Sequence, residues 1–172
     1  MKLILSLCCM LALTTQLHAQ KTFSTAVQYN DYIVEEQLKI GESLKEFISV
    51  FTNSNDSAEV HKSRMRIIAR ADSSVNNVKL MTPFKGDTAL KANAIRLFSF
   101  YSGIAANEYR QLVSLSFSSK KSSGEISKET NEIVKKITGK EAVFDKGFQD
   151  AQKAFAAKHN IDLKENEFKI NQ

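Results

Sequence analysis

The chain has 172 residues, 42% of them apolar and 25% charged, with a formal net charge of +5 at pH 7. That length fits one domain with a sizeable core, and a mild positive balance with acids and bases mixed throughout argues against a dedicated nucleic-acid face. The two cysteines, Cys8 and Cys9, stand near the start, so everything after them is without disulfides, thiolate nucleophiles and cysteine metal ligands.

Residues 1–19 read as an export signal peptide. Lys2 supplies the positive charge, Leu3 to Leu13 the short apolar run, and Leu17-His18-Ala19 a small residue before a cut ahead of Gln20. The run is shorter than the roughly 20 apolar residues of a membrane span. A buried N-terminal helix would not be expected to combine Lys2 with the polar Thr14-Thr15-Gln16 shoulder. Lipidation of Cys8 or Cys9 is the weaker alternative, since only Leu3 to Leu7 precede it and Leu7 is large. Cleavage removes Lys2 and no acid, taking the net charge from +5 to +4. The expectation is an exported chain that is periplasmic, secreted or associated with the outer surface, with residues 20–172 as a single helical-bundle domain and no transmembrane span.

Ser24 to Thr52 reads as the first helix. Ile33, Gln37, Ile40, Leu44, Phe47 and Phe51 recur at helical spacing, and Ala26 and Asn30 extend the stripe backwards. Ser24 is the expected cap. Asn30 and Gln37 occupy core positions. They serve either as amides that fix helix register, like polar residues in coiled-coil seams, or as the lining of a polar pocket with Tyr29 and Tyr32 at its mouth. The polar run from Thr52 to Ser57 is a turn.

Ser57 to Met81 is the second helix, with Val60, Arg64 or Met65, Ile67, Ile68, Ala71, Val75 and Val78 in period. Lys62, Arg64, Arg66 and Arg70 are expected as solvated positions whose stems cover apolar neighbours; the alternative is a landing patch for a phosphate or polyanionic glycan. Pro83 ends this helix, Gly86 allows a turn, and Asp87 caps the next helix.

Thr88 to Phe117 reads as the third helix, striped by Leu90, Ala94, Leu97, Tyr101, Ile104, Glu108, Leu112 and Leu115 and widened by Phe98, Ala105 and Tyr109. Phe100, Tyr101 and Tyr109 are either core rings or the half-wet rim of a ligand cleft. After the loop from Ser118 to Gly124 comes the fourth helix, Ile126 to His159. Ile126, Thr130, Ile133, Ile137, Glu141, Phe144, Phe148, Ala151 and Phe155 share one face, with a kink or split expected near Gly139 and a second soft point at Gly147. Asn160 ends this helix, Ile161 and Leu163 fold back on the core, and residues 164–172 are a loosely held end. The fold class is all-α, an antiparallel up-down-up-down four-helix bundle.

The chemistries that such bundles host find little support. A di-iron site needs Glu-x-x-His on two helices, but Ala58 and Ala156 stand three residues before His61 and His159. Covalent haem needs Cys-x-x-Cys-His. His159 follows the inward stripe and could ligate haem, yet no His or Met between Gln20 and Asn53 opposes it, and its ordinary role is to meet the negative end of the helix dipole. The nucleophile elbow Gly-x-Ser-x-Gly does not occur. Among Glu35, Glu36, Glu108, Glu141 and Asp150, the inward Glu108 and Glu141 are the carboxylates most able to act as a pair; their ordinary role is an interhelical contact with lysine. No residue is assigned to catalysis, cofactor binding or a metal, and no cofactor is expected.

Tyr29-Asn30-Asp31-Tyr32-Ile33-Val34, Phe100-Tyr101 through Glu108-Tyr109, and the run from Asp150 to Asn160 resemble a group of small exported helical surface proteins of leptospires and Bacteroidota-like bacteria whose role is uncharacterised. The resemblance implies a cell-envelope location and transfers no catalytic residue. The expected function is non-enzymatic binding of an envelope protein or a surface polymer. The alternative is a periplasmic carrier holding a small apolar ligand between helices near Tyr101 and Tyr109.

Overall fold

Several helix ends are set by residues close by in the chain. The computed structural model describes residues 20–163; residues 1–19, with the expected export signal, and the end segment 164–172 lie outside the described residues. Within them the chain forms α1 (Ala26–Asn53), α2 (Ser57–Lys79), α3 (Ala89–Ala106), α4 (Glu108–Ser116) and α5 (Ser123–His159). Thr25, rather than Ser24, caps α1 by accepting from the Gln28 N–H at 3.2 Å. Asp56 caps α2 through the Ala58 N–H at 2.8 Å, and Ser122 with Glu125 forms a capping box on α5. Asn160 adopts the left-handed conformation (φ 51°) that ends α5, and the Ile161 N–H returns to the Ala156 carbonyl at 3.1 Å. Lys85 and Gly86 also have positive φ, turning the chain so that Asp87 accepts from the Ala89 N–H at 3.1 Å.

The helix expected from Thr88 to Phe117 is two helices. It breaks at Asn107 (φ −113°, ψ −74°). The Asn107 side-chain amide donates to the Gly103 carbonyl at 3.0 Å, and Arg64 from α2 donates to the Ala105 carbonyl at 2.8 Å. Side chains that claim backbone carbonyls compete with the helical ladder; Arg64 does so at Ala105, while the Gly103 carbonyl also keeps its bond from the Asn107 N–H at 3.1 Å. α5, by contrast, is continuous through Gly139 and Gly147; buried Ile137 and the Tyr101–Glu141 bond hold it to the bundle on both sides of Gly139.

α3 is the hub. It packs against α1, α2, α4 and α5, most extensively against α2. Leu90, Ala94, Leu97, Phe98 and Ala105 are fully buried, so α3 is covered on more than one side, as a helix of such broad hydrophobicity must be. Along α5, Ile137, Phe148, Ala151 and Phe155 are buried and Ile126, Thr130, Ile133, Glu141 and Phe144 are half-buried, which is the whole of the expected stripe. On α2 the inward residue is Arg64; Met65 is 50% exposed. Cross-helix pairs fix the layers: Arg66 with Glu46 and Asn77 with Glu36 between α1 and α2, Ser102 with Asp72 between α2 and α3, Phe100 stacked on Phe144 at 4.8 Å between α3 and α5, and Gln152 with Asn30 between α1 and α5. Lys21, ahead of α1, forms a single parallel bridge with Met81. No helix among the described residues is long and apolar enough to cross a membrane.

Two substitutions measure this core. Phe98→Ala should cost about 3–5 kcal/mol and lower the thermal midpoint sharply, because Phe98 is 0% exposed. Val143→Ala, at a position 70% exposed, should stay within about 0.5 kcal/mol. Equal losses for the two in thermal melts would show that the buried face is misplaced.

Candidate functional site

The structure separates the two carboxylates that the sequence singles out. Glu108 opens α4 and is 5% exposed. Lys136 and Lys140, one turn apart on α5, reach it at 3.1 and 3.2 Å. Burial opposes its ionisation, but the two ammonium groups outweigh that and hold its carboxyl below the usual range. This is the expected interhelical contact with lysine.

Glu141 lies among tyrosines instead. The hydroxyl of Tyr101, from α3, donates to it at 3.2 Å. No lysine or arginine pairs with it among the described residues. Burial, reinforced by the negative charge of Asp145 one turn on, raises the Glu141 carboxyl above its usual range, with the Tyr101 bond partly offsetting. Asp145 is raised by burial as well, partly offset by a bond from Gln149. Tyr101 and Tyr109 are in turn held neutral, by burial first and the Glu141 charge second. The space beside these tyrosines is filled by rings: Tyr109 stacks on Phe47 at 4.9 Å, Phe51 on Phe47 at 5.6 Å, and Phe100 on Phe144 at 4.8 Å. Tyr101 is 3% exposed and is a core ring, not a cleft rim.

The other sequence candidates disperse. Glu35 and Asp150 are exposed, and Asp150 pairs with Lys146 at 2.6 Å. Glu36, by contrast, is 1% exposed at the α1–α2 contact, where Lys39 reaches it at 2.6 Å and Asn77 at 3.2 Å. Burial works against its charge, but bonds from Lys39, Ser74 and Asn77 prevail and keep its carboxyl low. Asn30 is buried and accepts from Gln152 of α5 at 2.9 Å; it ties two helices together, as a register-fixing amide does. Gln37 is half-buried. Tyr29 is fully buried among Phe23, Phe84 and Phe155, and its phenol is pushed up to about 12 by burial and by nearby Asp87. His159 wedges its ring against Phe84 and Phe155, 3.7 Å from the Asp87 carboxylate, which also binds Lys158 at 2.9 Å. This Tyr29–Asp87–His159 end had no signal in the sequence beyond three polar groups far apart in the chain.

The basic stretch of α2 is not one patch. Arg66 grips Glu46 with two nitrogens at 3.1 and 2.8 Å, Arg64 turns inward at 7% exposure, and Lys62 and Arg70 are exposed. The expectation that all four are solvated fails at Arg64, because the α3–α4 break presents a carbonyl to it.

A groove of about 600 Å³ runs between α4 and the first turns of α5. Arg110, Gln111, Ser114 and Ser118 line it with polar groups and Leu115 and Ile133 with apolar ones, and Lys121 and Glu129, which form an ion pair, also border it. Its lining offers hydroxyl, amide, guanidinium and aliphatic groups.

No protein-family model, curated protein or solved structure matches the chain. Any assignment of role therefore rests on the residues themselves.

The two glutamates should report opposite pH dependences. Glu141 has a folded pKa above its usual 4.5, so the stability linked to it is present below that value and is lost as pH rises through the folded value. Glu141→Gln should raise the thermal midpoint at pH 7, and the gain should vanish near pH 4. Glu36 has a folded pKa below 4.5; its contribution is present above 4.5 and is lost as pH falls through the folded value. Glu36→Gln should lower the midpoint at pH 7, an effect that fades in acid. Melting curves across pH that move both variants the same way at neutral pH would contradict these environments.

Proposed function

We propose that this chain is a non-enzymatic protein of the cell envelope that binds another protein or a surface polymer. The observation that carries the reading is the α4–α5 groove, open to solvent and lined by hydroxyl, amide and guanidinium groups together with the aliphatic side chains of Leu115 and Ile133. Such a mixed surface suits a partner with polar groups and some apolar area. The export signal read in residues 1–19, and the resemblance to small exported helical surface proteins, support the location. The carrier alternative is the weaker one, because the rings of Phe47, Phe51, Phe100 and Phe144 occupy the space beside Tyr101 and Tyr109.

We take the bundle to be antiparallel and up-down-up-down, with α3 and α4 sharing one leg. Pairs whose numbers run in opposite senses support this: 36 with 77 and 46 with 66 for the first two legs, and 93 with 147 and 101 with 141 for the last two.

Two measurements test the proposal. The intact mass of the exported protein should correspond to a chain beginning at Gln20 with no acyl group; a product that retains residues 1–19, or that carries lipid, would remove the proposed route. Ser114→Tyr, which fills the groove, should abolish retention on immobilised envelope fractions while leaving the thermal midpoint unchanged. Retention equal to that of the unaltered protein would dismiss the groove as the contact surface.

A further inference from the structure

Arg64 carries a charge that its surroundings do not neutralise. It is 7% exposed and forms no ion pair among the described residues. Nη1 donates to the Ala105 carbonyl at 2.8 Å, Nη2 faces the Met65 sulfur at 3.2 Å, and Nε is buried with no partner. A carbonyl and a thioether offer only partial charge, and a thioether is a weak acceptor. Arg66, two residues on, shows what the same edge of the guanidinium does when an oxyanion is at hand: its Nε and Nη2 take both oxygens of Glu46. This two-pronged grip is the geometry that arginine offers to carboxylates and phosphates.

A second cation lies near the same helix break. Arg110 is exposed, lies in the first turn of α4 five residues beyond Ala105, and lines the α4–α5 groove. It forms no ion pair among the described residues either. Burial and then the charge of Arg110 hold the Arg64 guanidinium below its usual range, so the two cations lie within electrostatic reach of each other. Met65, which covers the free edge, is 50% exposed on an unbranched, adaptable side chain.

We propose that the Nε–Nη2 edge of Arg64, with Arg110 near the same helix break, binds a tetrahedral oxyanion, a phosphate or sulfate group either free or as an ester. Met65 swings outward, one oxygen replaces its sulfur on Nη2, and a second oxygen satisfies Nε. Two positive charges favour a dianion over chloride or a monocarboxylate. The site rests on the charge imbalance at the α3–α4 break and stands whether or not the groove binds an envelope partner.

Titration calorimetry of the full exported chain with inorganic phosphate, sulfate, acetate and chloride at matched ionic strength tests it. Phosphate and sulfate should bind saturably at one site, and acetate and chloride should be much weaker. Arg64→Met should abolish the binding. Arg110→Ala should weaken it about tenfold, the loss of one contact to a charged group. Met65→Ala, which uncovers the edge, should tighten it, a change that a purely structural Arg64 would not produce. Circular dichroism confirms folding of each variant, and Arg110→Ala and Met65→Ala carry the test even if Arg64→Met does not fold. Phosphate binding no stronger than that of chloride or acetate, or unchanged in Arg110→Ala and Met65→Ala, overturns the proposal.

Discussion

Leu90, Leu97 and Phe98 have no solvent exposure, and between them they face more than one neighbour. A helix with apolar residues on several sides gains its stability only when other helices cover all of them. α3 is therefore the part that the other helices must enclose, and the amphipathic stripes of α1, α2 and α5 are the surfaces that do so. The apolar area removed from water is the dominant favourable term in that assembly, and the polar pairs across it, Asn30 with Gln152 and Glu36 with Asn77, fix register within it.

Much of this was readable in the sequence, and the failures have physical causes. The 3.6-residue period placed every stripe residue of α5 on the covered face, because a continuous run of apolar residues at that spacing has one consistent burial. The period could not reveal that α3, rather than α5, is central: breadth of hydrophobicity, from Phe98, Phe100 and Ala105 beside the stripe, was the available signal. The break at Asn107 was hidden because the Arg64 bond to the Ala105 carbonyl that accompanies it joins residues remote in the chain and adjacent only in the fold. Arg64 itself was misread for the same reason. Lys62, Arg66 and Arg70 nearby made it look solvated, while helical phase, which offered Arg64 or Met65 as the inward residue, pointed to burial.

The carboxylates diverge for a related reason. Glu108 and Glu141 both lie on inward stripes, and sequence position alone makes them equivalent. The fold gives one two lysines and the other a phenol and a second acid. Opposed environments of this kind mark acid–base pairs in enzymes when they share a substrate space. Here each has its own partners, Glu108 the two lysines and Glu141 the Tyr101 phenol, and their ionisation makes the stability of the seam respond to pH.

α5 also has an uneven footing. It is 37 residues long, yet the first of its buried residues is Ile137, well past its start at Ser123. At ~1.5 Å per residue, about 20 Å of helix precedes that anchor, resting on the short α4 and held at its tip by the capping box. Few buried contacts and many solvent-facing backbone bonds are what lower the free energy of local opening. The opening turns of α5 thus rest on fewer buried contacts than its later half, so the side of the groove that they form is held less firmly than the far end of the same helix.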